Sequence, residues 1–343
     1  MKQNKSHSPR RILWKLICLC LGLILTVMLA ATAAFRYFLG QIQYTVQAET
    51  VPEATVQSAA AAPSTPAEGL KDFLDPRDVN WQQLGADLTK KERDVVNILL
   101  IGEDRRENES VARSDSMILC TFNKTSGTLT LTSFLRDLYV PIPGRGSDRI
   151  NAAYAYGGAP LLKKTLVENF GVTIDGAVEV DFSQFAEVID ALGGVEITLR
   201  ADETEVVNME TGSALEAGTH ILSGSQALAY ARIRSLDSDG DFSRTNRQRT
   251  LLSALINSYK TAGFSTIVGL LQNILPMIST DMTESRLLLL AMELFPLISD
   301  LKVSSQSIPA PGTYADKTIN GMAVLVADMD AARQLLRETT GES

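Results

Sequence analysis

The sequence predicts an α/β protein, a three-layer αβα body around a central mixed sheet, preceded by one N-terminal transmembrane helix. Three observations lead there. Short β-rich runs alternate with amphipathic stretches through a body of about 250 residues. Two of those runs are joined by a five-residue turn, Asn123–Gly127, which makes them an antiparallel pair. Twenty uncharged residues, Leu16–Phe35, follow a basic N-terminus.

From the N-terminus, residues 1–11 read as a cytoplasmic tip and 12–39 as the membrane anchor. Leu16–Phe35 is long enough to cross about 30 Å of hydrocarbon as a helix. Lys2, Lys5, Arg10, Arg11 and Lys15 precede it, so the positive-inside rule places the N-terminus in the cytoplasm and the rest outside. Ala31-Thr32-Ala33 resembles a signal cleavage site, but the apolar run exceeds the usual signal-peptide core, which favours an uncleaved, single-pass anchor. Residues 40–70 read as a flexible extracellular tether. Gln41–Gly69 holds no Lys or Arg and is rich in Ala, Thr, Pro, Gln and Glu, a composition that cannot offset the entropy of folding. Residues 71–94 extend the body, and 95–343 are the body proper.

Within the body, Val95–Ile101 is a short apolar run with a β-branched start, closed by Gly102, and reads as a buried strand. Ser116–Phe122 and Thr128–Phe134 are β-rich runs forming the hairpin. Ala159–Phe170 has helical periodicity and stops at Gly171. Gly176–Phe182 is strand-like, and Ser183–Leu192 is a helix that Asp181 can cap and Gly193 ends. Val195–Leu199 is a further strand of the sheet and Ser225–Ala231 a short helix. Arg244–Ser258 is a longer amphipathic helix with Asp241 or Ser243 as N-cap. Residues 265–298 read as mostly helical, and a last strand-and-helix unit follows Val303. Antiparallel pairing inside an alternating pattern makes the sheet mixed, with helices on both faces.

Charge narrows the function. The chain carries 32 basic and 40 acidic residues, a formal charge of −8, yet Arg232, Arg234, Arg244, Arg247 and Arg249 fall within eighteen residues that contain no lysine. Arginine offers a permanently charged planar fork that can hold two phosphate oxygens at once, so this bias asks for an anionic partner. Nucleic acid is excluded as that partner, because the body is acidic, aromatics are sparse at 6% and the arginines gather instead of forming a stripe. His7 and His220 are the only histidines, and Cys18, Cys20 and Cys120 make no zinc spacing or disulfide framework. A His-based triad or metal site is therefore not expected.

Strand connectivity brings charged residues together. Asp104 and Arg106 follow the first strand, Arg113 and Asp115 open the second, and Arg136 and Asp137 follow the third. In a hairpin the start of one strand and the end of its partner share one end of the sheet. Arg113, Asp115, Arg136 and Asp137 are thus expected on one rim, joined by Asp104 and Arg106 if the first strand runs parallel to the third. Two carboxylates there can hold Mg²⁺, which commonly shares its coordination with phosphate oxygens; arginines alone can also bind the anion. Arg244, Arg247 and Gln248 stand at i, i+3 and i+4 on one helix face near a positive helix end. Arg249 points away from that face and is expected at the solvated surface.

Taken together, GEDRR (Gly102–Arg106), RSDSMIL (Arg113–Leu119), SFLRDLYVPIPG (Ser133–Gly144), DRINAAYAYGG (Asp148–Gly158), DALGGVEI (Asp190–Ile197) and LSGSQALAYARIR with DGDFSRTNRQR (within Leu222–Arg249) resemble the LytR-CpsA-Psr family of membrane-anchored envelope phosphotransferases. The motifs are individually weak and strong as an ordered set. The resemblance implies that 95–343 is a catalytic domain and that its substrate is a glycan on polyprenyl pyrophosphate. The glycan passes to peptidoglycan in cell wall assembly, with release of polyprenyl phosphate. It makes Asp104 and Asp115 ligands of a Mg²⁺ cofactor, and Arg113, Arg136, Arg232, Arg234, Arg244 and Gln248 ligands of the pyrophosphate. Arg106, Arg149, Asp241 and Arg247 lie in the same motifs with looser roles. Asp137 either orients Arg136 or acts as a base, and Asp115 and Asp104 are the other candidates for that base. The implied partners are the lipid-linked glycan, peptidoglycan and membrane lipid, and the implied location is the cell membrane with an extracellular catalytic domain.

Glu103 departs from the family pattern by adding a carboxylate beside Asp104. Its expected place is solvent, with Arg105 offsetting the charge. Two rival functions share these features. A polyprenyl-pyrophosphate hydrolase would direct water at phosphorus, and a non-catalytic envelope-binding protein would keep fold and anchor without needing both aspartates.

Overall fold

The structure, a computed structural model, describes residues 43–44, 94–104, 113–234, 236–237, 240–261, 274, 277–283, 286–287, 290 and 293–341. The expected tip and anchor, nearly all of the tether, residues 71–93 and Arg106 lie outside these residues. Among the described residues no helix is long and apolar enough to cross a membrane.

Seven strands form the central sheet. They are β1 (Gln43–Tyr44), β2 (Val95–Asp104), β3 (Arg113–Asn123), β4 (Thr128–Phe134), β7 (Gly176–Asp181), β10 (Ser279–Thr280) and β11 (Lys302–Ile308), in the spatial order β1-β10-β7-β2-β3-β4-β11. β2–β3 and β3–β4 are antiparallel, whereas β2–β7 and β4–β11 are parallel, so the sheet is mixed as expected. The short β1 falls within the stretch expected as tether and pairs parallel to β10 at the sheet's edge. After β4, the strands β5 (Tyr139–Ile142) and β6 (Gly146–Arg149) form a separate antiparallel ribbon.

Period-two alternation gives each face its own core. Leu99, Ile101, Met117, Leu119 and Phe134 pack against α1 (Ile150–Phe170) and α6 (Met329–Thr340) through Leu162, Leu166 and Leu336. Val96, Ile118, Phe122, Leu129 and Leu131 occupy the other face with Leu252 and Ile256 of α5 (Asp241–Tyr259). Beside them, a third cluster joins α2 (Phe182–Ala191), α3 (Ala201–Thr211), α4 (Gly224–Arg232) and α5 to the ribbon of β8 (Val195–Leu199) and β9 (Gly218–Leu222). Gly224 opens α4 where a Cβ would lie 2.0 Å from the Ala186 carbonyl oxygen, which lets α4 seat directly on α2. Its N–H donates to Asp190 Oδ1 at 2.7 Å.

The structure revises several expectations. Val195–Leu199 pairs with β9 in a separate ribbon and is not part of the central sheet. β9 was not legible because Gly218–Leu222 alternates exposed and half-exposed positions and leaves Ile221 in solvent. α1 starts at Ile150, and the expected start at Ala159 coincides with its kink at Gly157-Gly158. α5 is capped by Gly240 at φ +43°, a backbone that Asp241 and Ser243 would adopt only with strain, so Asp241 instead occupies the first turn. Asp181 does cap α2, accepting from Ser183 N at 2.6 Å. In 265–298 the described residues include the strand β10 besides helical positions, and 265–273 lie outside them. The C-terminal unit contains an additional hairpin, β12 (Tyr314–Ile319) and β13 (Met322–Ala327), before α6.

Candidate active site

Because β2 and β4 both run antiparallel to β3, the ends of β2 and β4 and the start of β3 share one rim, with Asp104 paired to Arg113 in register. A bulge accompanies them. Gly102 pairs with Ser116 and Glu103 with Ser114, which leaves Asp115 as the extra residue on β3. Bulges at sheet rims re-aim side chains, and this one serves the carboxylate around which the site is built.

Arg136, just past β4, donates from Nη1 to Asp115 Oδ1 at 2.8 Å. Arg244 of α5 donates from Nη2 to the Asp115 carbonyl at 3.3 Å, and Arg234 Nη2 lies 3.7 Å from Asp115 Oδ2. Asp241 Oδ1 is 2.5 Å from Arg244 Nη2 and 3.5 Å from Arg136 Nε, and Asp137 Oδ2 is 3.7 Å from the same Nε. Gln248, one turn beyond Arg244, accepts from Ser116 Oγ at 3.0 Å. Three guanidiniums from three chain segments thus converge on Asp115.

The cluster is close-packed but not saturated. Arg136 Nε, Arg244 Nε and both carboxylate oxygens of Asp241 are buried without a hydrogen bond among the described residues. Arg244 is only 2% exposed, and that burial pushes its guanidinium down to about 10, with Arg136 and Arg234 adding to the effect against the pull of Asp241. Burial alone would raise Asp115. The hydrogen bond and charge of Arg136, with Arg244 and Arg234, outweigh burial and hold Asp115 below the usual carboxylate range. Asp241 goes the other way, raised by burial and by Asp137 despite Arg244 and Arg136. Two carboxylates of one cluster therefore have opposed proton affinities.

Other expected site residues are placed differently. Arg247 turns from the rim to Glu203 Oε1 at 2.8 Å, to the Ile233 carbonyl at 3.3 Å and to Asp237. Arg149 links two walls, lying 3.3 Å from Asp137 Oδ1 and donating to the Ala323 carbonyl at 3.0 and 2.6 Å. Arg232 ends α4 exposed. Asp104 and Arg113 are placed by their backbones at the rim.

Glu103 does not face solvent; it is 8% exposed and accepts from Tyr154 Oη at 3.0 Å beside Glu179 at 2.6 Å, because its position on β2 continues the α1-facing row of Leu99 and Ile101. Arg249, expected at the surface, is only 7% exposed, and burial pushes it down to about 10. Glu203 and Asp237 had no motif to mark them, although Asp237 falls inside the arginine-rich stretch.

Two cavities flank the cluster. One, of about 80 Å³, is apolar and runs between sheet and helices, lined by Leu100, Ile118, Val180, Phe185, Leu228 and Leu251 among others, with Ser116 and Gln248 at its polar edge. The second, of about 480 Å³, is polar and is lined by Asp137, Asp241, Phe242 and the β12–β13 hairpin.

The residues present suit a hard divalent cation. Asp115 is held ionised and Asp104 closes the neighbouring strand on the same rim. Among the described residues no group of three potential ligands occurs, so a cation here would draw on Asp115 and on oxygens of a bound phosphate.

An αβα protein with an under-satisfied arginine cluster on its sheet rim, beside an apolar seam, offers the donors and the apolar surface that an amphiphilic anion would need. The chain belongs to the LytR_cpsA_psr family, whose profile it matches over residues 54–340. It is 38% identical over 227 residues to the polyisoprenyl-teichoic acid–peptidoglycan teichoic acid transferase TagT of Bacillus subtilis strain 168, covering 64% of this chain and 69% of that one. Among solved structures it is similar to TagT bound to LIIa-WTA, with TM-score 0.61 and 32% identity over 74% of this chain and 95% of that one. It is likewise similar to the LytR-CPS2A-psr family protein YwtF (TagT) with bound octaprenyl pyrophosphate lipid, with TM-score 0.58 and 30% identity over 74% and 95%.

Proposed function

We propose that this protein is a membrane-anchored, Mg²⁺-dependent phosphotransferase that moves a teichoic-acid-like glycopolymer from polyprenyl pyrophosphate to peptidoglycan. The observation that carries the reading is the convergence of Arg136, Arg234 and Arg244 on Asp115 beside an apolar seam, with the Nε atoms of Arg136 and Arg244 left without hydrogen bonds among the described residues. A pyrophosphate presents several anionic oxygens to such donors, and its prenyl tail suits the seam.

In the reaction, an acceptor hydroxyl oxygen bonds to the sugar-linked phosphorus, the bond from that phosphorus to the bridging oxygen breaks, and polyprenyl phosphate leaves with the electron pair. Arg136 and Arg244 neutralise the charge that grows on the bridging and terminal oxygens. Gln248, fixed by Ser116, orients the end of the pyrophosphate nearest the tail. Mg²⁺ held by Asp104 and Asp115 would supply further neutralisation of phosphate charge. Arg113, Arg232 and Arg234 add donors at the mouth. The apolar run Leu16–Phe35 would keep the protein in the bilayer that carries its lipid substrate.

The test is full-length protein in lipid vesicles, given a polyprenyl-pyrophosphate oligosaccharide, with and without Mg²⁺ and peptidoglycan fragments. Glycan attached to the fragments together with released polyprenyl phosphate supports transfer. Release with free glycan phosphate under every condition would replace the transferase by a hydrolase.

A further inference from the structure

We propose that the polar cavity beside the β12–β13 hairpin is the acceptor subsite, where a peptidoglycan glycan strand lies against Phe242 and Tyr314 and presents its hydroxyl to Asp241. The inference rests on the transferase reading above and adds to it the place and direction from which the nucleophile arrives.

On α5, Gln248 lines the apolar cavity, Arg244 lies one turn away in the arginine cluster, and Asp241 lines the polar cavity. These three positions span about 10 Å along the helix axis. The two cavities therefore adjoin opposite ends of the same anion-binding cluster. Phosphoryl transfer needs attacking and leaving oxygens roughly in line. With the prenyl tail in the apolar seam, polyprenyl phosphate departs on the Gln248 side, and the incoming hydroxyl must come from the Asp241 side.

The cavity's construction suits a carbohydrate. At about 480 Å³ it falls within the size range of small-ligand pockets, roughly 300–1,000 Å³. Phe242 and Tyr314 stack with ring centroids 5.0 Å apart at 26°, a half-buried aromatic surface for the C–H face of a sugar ring. Asp316, Lys317 and Thr318 supply the polar groups that sugar hydroxyls and amides require. The wall is fixed in place: Leu325 N donates to the Asp137 carbonyl at 2.9 Å, and Arg149 ties Asp137 to the Ala323 carbonyl. At the inner end, Asp241 Oδ1 faces the arginine cluster, 2.5 Å from Arg244 Nη2, while Oδ2 is buried with neither a hydrogen bond nor an ion pair among the described residues. As the acceptor O–H breaks, its proton passes to Asp241 while the oxygen bonds to phosphorus; the carboxyl then releases the proton to solvent.

The test measures binding and turnover separately, with full-length protein in vesicles loaded with polyprenyl pyrophosphate and titrated with uncrosslinked peptidoglycan oligomers. Tyr314→Ala and the exposed Lys317→Glu should weaken oligomer binding at least tenfold while the affinity for polyprenyl pyrophosphate stays within twofold. Asp241→Asn should lower kcat at least 100-fold with little change in acceptor KM, and should flatten the acid side of the pH profile. Unchanged oligomer binding in both hairpin variants would overturn the subsite, as would weaker binding of the lipid-linked glycan donor in its place. An unaltered pH profile in Asp241→Asn would overturn the proton transfer. If oligomers bind and the variants lose them but wild-type protein performs no transfer, the subsite stands and the transferase reading fails.

Discussion

Arg244 and Arg247 stand three residues apart on α5, both almost fully buried, in opposite surroundings. Arg247 has a carboxylate on each side: Glu203 accepts from its Nε and Asp237 from its Nη2, and the Ile233 carbonyl accepts from Nη1. Arg200 joins the same network through Glu203 and Asp237. Arg244 shares its space with Arg136 and Arg234, has Asp241 as its near counter-charge, and keeps Nε without a hydrogen bond among the described residues. The same residue type on one helix thus does two jobs. Satisfied donors hold α3, α4 and α5 together, whereas crowded, incompletely satisfied ones leave, on the function proposed above, donors for an added anion.

The largest expected effect tests the unsatisfied half of this comparison. Arg136→Ala and Arg244→Met should each lower glycopolymer transfer by about 100-fold or more, the scale of losing one preorganised donor to developing charge. Arg244→Met should leave the melting temperature level or raise it, since it removes a guanidinium that burial and like charge disfavour, whereas Arg136→Ala takes the hydrogen-bonded cation from Asp115 and should lower it. Transfer at wild-type rates in either variant would remove the arginine clamp from the mechanism.

The converse holds for Arg247. Arg247→Ala leaves Glu203, which is 5% exposed, without its nearest cation and should destabilise the domain by roughly 3–5 kcal/mol. Denaturant unfolding reads this directly. The fraction that remains folded should bind polyprenyl pyrophosphate within a few-fold of wild type. Loss of binding with unchanged stability would move Arg247 back into the site.

These two arginines also mark how far the sequence could be read. The β3 and β4 runs and the turn between them sufficed to place Arg113, Asp115, Arg136 and Asp137 on one rim, because connectivity decides which ends of a hairpin meet; Asp104 joined them only on the condition that β2 runs parallel to β4, which pairing with β3 supplies. Helical spacing likewise put Arg244 and Gln248 on one face. It put Arg247 there too, since spacing fixes only a direction to within a turn. What Arg247 meets is settled by Glu203, 44 residues away, and nothing local announces that partner. Glu103 was misplaced for the same reason: the Tyr154 hydroxyl that donates to it comes from α1, and Glu179 of β7 accepts from the same hydroxyl. The β12–β13 wall reaches the site through backbone contacts from Ala323 and Leu325, which carry no residue signature at all.

Asp241 sharpens the comparison through pH. Arg244, Arg136, Asp137 and Arg234 act on it, and burial with Asp137 raises its proton affinity above that of an unfolded aspartate. The folded state then binds the proton more tightly, so Asp241 costs stability above its folded pKa, and the cost is relieved as pH falls toward the unfolded value near 4. Asp241→Asn should therefore be more stable than wild type at neutral pH, with the difference shrinking on acidification. Parallel stability curves for the two proteins would show that Asp241 is fully compensated by its arginines.

Arg249 supplies the smallest effect and the strictest test. It is buried like its two neighbours on α5, its one hydrogen bond is from Nη2 to Asn246 Oδ1 at 3.3 Å, and Nε and Nη1 have no partner among the described residues. Unlike Arg244, which meets Asp241 and the Asp115 carbonyl, it makes no ion pair with the rim carboxylates among the described residues, so a substrate anion bound at the rim does not account for its unsatisfied donors. A buried, poorly paired cation costs stability, and replacing it with an apolar side chain of similar length removes that cost. Arg249→Met should thus raise stability by about 1 kcal/mol, the lower end of the range for an unsatisfied buried group, with transfer unchanged. A fall in transfer without loss of fold would instead place Arg249 with Arg244, and burial without satisfied donors would then mark a functional arginine wherever it occurs along this helix.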